Sequence, residues 1–144
     1  MTQITFRLGA ATALLASLPL LAACSTPDNA LASRCSGGTL QGWDCTLTIE
    51  RIDKPASGSL SVNDHSRQVD LSGTITLRTG KVDVTFGSGG QDDHTVTVTP
   101  DSPQQVDTTV RTAGRSSDDE RLILVKVVPL EPSEGLEATL RHNG

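Results

Sequence analysis

The 144-residue chain has no tyrosine, one tryptophan and two phenylalanines. Beyond the N-terminal segment only Trp43 and Phe86 remain. Stacking sites for bases need exposed aromatic platforms, and sugar sites commonly use the same ring faces. Two rings cannot build an extended platform of either kind. Aromatic hot spots at a protein interface are equally scarce. No basic run is present either, and 12 Lys and Arg stand against 17 Asp and Glu, for a net charge of −5. An acidic chain without a basic cluster is a poor partner for nucleic acid, and none is expected. Catalytic signatures are also missing: no Gly-x-Ser-x-Gly, no phosphate loop, no Cys-x-x-Cys and no His-Glu-x-x-His. The expectation is a protein that is not an enzyme, with no catalytic residue to assign.

What is present begins at the N-terminus. Arg7 is the only charge before residue 24, and Leu8 to Ala23 is uncharged with a single proline, Pro19. That stretch falls short of the about 20 apolar residues that span a bilayer, and it suits a secretory leader. It ends in Leu21-Ala22-Ala23-Cys24. This tract resembles the lipobox of bacterial lipoproteins. The resemblance implies that residues 1–23 are a cleaved signal peptide and that Cys24 becomes the first residue of the mature chain. Its sulfur would carry diacylglycerol, with a further acyl chain such as palmitate on the new N-terminus. Two or more chains anchor stably where one does not. Ser25 follows Cys24. In a Gram-negative cell that favours the outer membrane, on its periplasmic or surface face. The acidic domain repels anionic head groups, so the lipid alone is the expected membrane contact.

With Cys24 assigned to lipid, Cys35 and Cys45 are left over. In an oxidising compartment such a remainder reads as a disulfide, which would stabilise the domain by about 3 kcal/mol. Residues 24–34 read as a lipidated tether and residues 35–144 as one domain, long enough for its own core.

From Cys45 onward the pattern has period two, the mark of half-buried strands. Cys45, Leu47 and Ile49 share a face, as do Leu60 and Val62. Val69, Leu71, Ile75 and Leu77 follow, with Gly73 at a bulge position, and Thr79-Gly80 reads as a hairpin turn. Val82, Val84 and Phe86 come next, then Val96 and Val98, then Val106 and Val110. Leu122 to Val128 is apolar on both faces, which suits a central strand or one whose outer face meets a partner. Leu136, Ala138 and Leu140 mark a last strand, and Pro100, Pro103, Pro129 and Pro132 read as strand ends. About eight short strands without helical periodicity imply an all-β fold. An antiparallel β-sandwich, immunoglobulin-like or transthyretin-like, is expected, with a small up-and-down barrel as the alternative.

Three groupings could carry chemistry. Asp92, Asp93, His94, Asp118, Asp119 and Glu120 lie in or beside two loops, and at one end of a sandwich they could gather oxygens around calcium. Solvated acidic turns explain the same residues, because aspartate bonds its own backbone there. Otherwise no cofactor is expected. His65 and Ser66 are adjacent, and neighbours in a strand point to opposite faces, which works against a nucleophile–base pair. Trp43, Leu122, Leu124 and Val128 are the candidate interaction residues. The reading is a lipid-anchored, non-enzymatic envelope module that meets another envelope protein. The alternatives are a calcium or small-ligand binder using the acidic loops, and a surface-presented enzyme inhibitor whose stapled loop holds Trp43.

Overall fold

The computed structural model describes residues 28–38, 42–62, 65–114 and 120–143. Cys24 and the leader therefore lie outside the described residues. The described chain is all strand and turn, with eight strands: β1 (Ala32–Gly38), β2 (Gly42–Ile52), β3 (Ala56–Val62), β4 (Gln68–Gly87), β5 (His94–Val98), β6 (Gln104–Arg111), β7 (Ala113–Gly114) and β8 (Arg121–His142). All pairings are antiparallel.

Alternation of apolar and polar residues sets the inner face of the long strands, except over Leu122 to Val128 of β8, which is apolar on both faces. Cys45, Leu47 and Ile49 of β2, Val69, Leu71, Ile75 and Leu77 of β4, and Leu136, Ala138 and Leu140 of β8 are all buried. So are Leu60 and Val62, Val82, Val84 and Phe86, and Ile123, Val125 and Val127. These residues form one continuous core, and their removal from water is the main favourable term in folding.

β4 and β8 are 20 and 22 residues long and pair from Leu71–His142 to Gly87–Leu124. One end of this ribbon carries β2 and β1 on one side and β6 on the other; the far end carries β3 and β5. The ribbon bends between the two, so a single hydrogen-bonded sheet folds into two layers over one core. β1 then lies beside β3 and β5 beside β6. The result is the expected antiparallel sandwich, and the described strands do not close into a barrel.

The bend corrects two expectations. Thr79-Gly80 is not a hairpin turn, and Pro129 and Pro132 do not end a strand, because β4 and β8 run through these positions. The register slips between Thr79 and Val82. Buried positions switch from odd (Val69, Leu71, Ile75, Leu77) to even (Val82, Val84, Phe86) across the slip, and β8 switches likewise between Val127 and Leu136. An extra residue at a bulge shifts side-chain parity while the same sheet face stays inward. Gly80 sits there at φ 94°, and a Cβ on it would lie 2.1 Å from the Ser133 hydroxyl and 2.6 Å from the Pro132 carbonyl oxygen. Ser133 is buried; its Oγ accepts from the Lys81 amide at 3.0 Å and donates to the Glu131 carbonyl at 2.7 Å. The hydroxyl thus supplies partners that the broken ladder lacks.

Part of the stretch read as tether is folded. Asn29 donates its amide to the Arg51 carbonyl, and its side-chain oxygen accepts from the Asp53 and Lys54 amides. Leu31 packs against Gly58, and β1 starts at Ala32. The segment from Asn29 to Arg34 belongs to the fold because these bonds satisfy the β2–β3 turn.

Candidate functional site

The β2–β3 and β5–β6 connections lie beside the bend, whereas the facing ends of β1 and β2, the end of β3 with the start of β4, the end of β4 with the start of β5, and the end of β6 with the start of β8 lie at the opposite, open end. Two sites stand at this open end, and a third region lies on the outer surface of the β3–β5 layer.

The first is the disulfide corner. Cys35 and Cys45 are directly opposed in the β1–β2 register and joined by a disulfide. Non-neighbouring thiols in sequence meet here because the hairpin aligns them. Trp43, two residues before Cys45, stacks on His142 with ring centroids 6.4 Å apart and planes 13° from parallel. His142 is buried, and Trp43 is half-buried. The tryptophan is thus packed on the fold more than offered by a loop. Cys35, Cys45 and His142 place their ligand atoms within 4.8 Å of one another. The two sulfurs are bonded to each other, and a metal needs thiolates.

The second is a cleft lined by Ser66, Arg67, Ser88, Arg111, Thr112 and Arg121, about 780 Å³ in volume. Thr112 is 3% exposed and ties three segments together. Its amide donates to the Arg67 carbonyl at 3.0 Å, and its hydroxyl donates to the Ser66 carbonyl at 2.7 Å. In return, its hydroxyl oxygen accepts from Arg121 Nε at 2.5 Å and its carbonyl from Arg121 Nη2 at 2.8 Å. The sequence shows no basic cluster, yet the fold makes one. Arg67 precedes β4, Arg111 ends β6 and Arg121 opens β8, so only strand order brings them together.

The acidic loops behave differently from the calcium expectation. Ser88 and Arg121 line one cleft, so the start of the first loop and the start of β8 stand at the same end. Asp93, however, turns its carboxylate back to accept from the Ser88 and Gly89 amides at 3.0 and 2.9 Å. Asp92 faces Arg111 at 3.8 Å. His94 stands opposite Phe86 on β5, half-buried. Glu120 is exposed, and Asp118 and Asp119 lie outside the described residues. The acidic groups that are described therefore do not converge on one point. His65 is exposed and Ser66 half-buried, beside the arginine cleft.

The third region is apolar. Leu124 is 36% exposed, and Leu122 and Val128 of the same β8 face are half-buried. No neighbouring layer covers this face among the described residues. Leu124 borders a second cavity of about 390 Å³ with Gly58, Gly89 and Lys126. Leu130, at 51% exposure, lies within the bend and is a residue that the alternation did not single out.

No protein-family model matches the chain, and no curated protein matches it. Among solved structures it is similar to the protein of Bacillus endospore appendages, which form a family of disulfide-linked pili. The identity is 17%, the match covers 85% of this chain and 94% of that one, and the TM-score is 0.44. It is also similar to a CBM4 structure, at 12% identity over 74% of this chain and 73% of that one, with a TM-score of 0.35. A third similarity is to the carbohydrate-binding module CBM6cm-2 of Cellvibrio mixtus lichenase 5A, solved with cellotriose. There the identity is 12%, the coverage 79% and 86%, and the TM-score 0.32. At these scores the likeness reaches no further than the all-β architecture.

Proposed function

We propose that the chain is an exported envelope lipoprotein, anchored through acyl chains on Cys24, whose sandwich is a non-catalytic interaction module. The observation that carries this reading is the pairing of Cys35 with Cys45. Disulfides persist in oxidising compartments, and this one leaves Cys24, at the end of Leu21-Ala22-Ala23, as the only cysteine outside a pair. In a Gram-negative cell the protein sits on the outer membrane, as Ser25 favours. Its partner is another envelope protein, met at the outer β8 face around Leu122, Leu124 and Val128. Few aromatics are available for such a contact, so aliphatic area and strand edges provide it.

Fractionation of cells producing Cys24→Ser tests the anchor. The variant moves to the soluble fraction while the unaltered chain stays with membranes; a variant still held by membranes contradicts the lipid assignment. Crosslinking in intact cells tests the module. Leu124→Ser, in an otherwise folded protein, loses the partners that the unaltered chain captures. Unchanged capture by that variant rejects the β8 face as the interface.

A further inference from the structure

We infer that the arginine cleft at the open end is a binding site for an oxyanion, a phosphate, sulfate or carboxylate group borne by a polar ligand. The chain as a whole is acidic, at −5, so three arginines lining one cavity run against its composition. Nothing in strand formation requires them there.

The site is built rather than incidental. Thr112 holds Arg121 by Nε and Nη2, which fixes the plane of that guanidinium. An arginine has five N–H donors in a rigid fork, so a fixed Arg121 still has donors to offer. A donor set already oriented loses little entropy on binding, and a planar fork matches the geometry of carboxylate and phosphate. Among the described residues Arg111 is ion-paired only with Asp92, at 3.8 Å, with both side chains more than half exposed (62% and 80%). A pair this loose and solvated contributes little, and a ligand anion can replace the carboxylate. Arg67 makes no ion pair among the described residues. By contrast, Arg51, Arg78 and Arg141 each face a carboxylate on the layer that carries β2.

The lining also sets the kind of ligand. Ser66, Gln68, Ser88 and Thr112 accompany the arginines, and no aromatic ring or large aliphatic side chain lines the cleft among the described residues. Recognition by stacking or apolar burial is therefore absent, and charge-assisted hydrogen bonds carry it. The volume, about 780 Å³, is that of a site for a small organic molecule rather than a bare ion. A phosphorylated sugar and a uronic acid both present the required group. This inference stands apart from the anchor and from the β8 face.

The test is a titration of the full-length protein with glucose 6-phosphate, with glucuronate and with neutral glucose, read by NMR at the arginine Nε–Hε signals. Saturable shifts are expected at Arg67, Arg111 and Arg121 with at least one of the anions, and none with glucose. The anion that binds more tightly identifies the acid group. Arg67→Gln with Arg111→Gln, both at exposed positions, should weaken binding by about tenfold or more, given the strength of charge-assisted bonds. Arg51→Gln with Arg78→Gln should leave it unchanged. As a second probe, Arg121→Lys keeps the charge but loses the fork, and it should weaken binding as well. Shifts that are equal at all arginines and do not saturate mean ionic screening only and overturn the proposal. Undiminished binding by the Arg67→Gln, Arg111→Gln protein overturns it too.

Discussion

The two layers of the sandwich share β4 and β8, yet they are finished differently. The layer with β1, β2 and β6 is stapled by Cys35–Cys45 and its outer surface is a lattice of charges: Arg78 with Glu50 and Glu134, Arg51 with Asp28 and Glu134, Arg141 with Asp44. The layer with β3 and β5 has no disulfide, and its outer surface carries a threonine pair, Thr85 with Thr95, and a bond from Thr97 to Asp83, on the layer that also holds Leu124. A lattice of exposed ion pairs adds little stability but keeps a surface wet and unattractive to apolar partners. The barer layer is thus the one able to dock. What makes them one domain is the core and the joint at Gly80 and Ser133.

If the layers truly share one core, the largest effect comes from Phe86, which is fully buried on the β3–β5 side. Phe86→Ala should cost about 3–5 kcal/mol. Denaturation followed by hydrogen exchange should show both layers lost together; a β2 that stays protected after β5 opens would divide the domain in two. Next is the joint itself. Gly80→Ala meets Ser133 and a positive φ and should cost about 3–4 kcal/mol. Gly90→Ala, whose Cβ would come no nearer than 3.8 Å to its neighbours, serves as the control with a change below about 0.5 kcal/mol. Removing the staple with Cys35→Ala and Cys45→Ala should cost about 3 kcal/mol. That loss should appear first as faster exchange in β1 and β2, and equal change in β5 would erase the asymmetry proposed. Ser133→Ala leaves the Lys81 amide without its partner and should cost about 1–2 kcal/mol. The smallest effect belongs to the outer surface: Leu124→Ser should change stability by under about 0.5 kcal/mol, as a thermal melt would show.

Much of this was readable from residues alone. The inner residues of β2 to β6 and of the last part of β8 followed from alternation, because burial on one sheet face imposes period two whatever the strand order; β1, β7 and Leu122–Val128 did not show it. Cysteine arithmetic identified the pair Cys35 and Cys45. The length of β4 and β8 was not readable. A bulge at Gly80 flips parity, so one bent strand looks like two short ones, and the glycine that permits the bend looks like a turn. Pro129 and Pro132 misled for the same reason, since a strand with a broken ladder tolerates a missing donor. The arginine cleft left no local mark. Arg67, Arg111 and Arg121 are single residues at three strand ends, and their meeting is a product of topology. The acidic residues near them, by contrast, stood out as runs, yet Asp93 serves its own loop and Asp92 faces an arginine.

The claim on which the functional account rests is that the polypeptide leaves the cytoplasm and is acylated at Cys24. Intact mass analysis of the protein taken from the membranes of a bacterial cell producing the full chain tests it most directly. The account predicts a polypeptide starting at Cys24, heavier by its acyl groups and lacking the two thiol hydrogens of Cys35 and Cys45. A chain still starting at Met1, soluble and with all three thiols free, would contradict it.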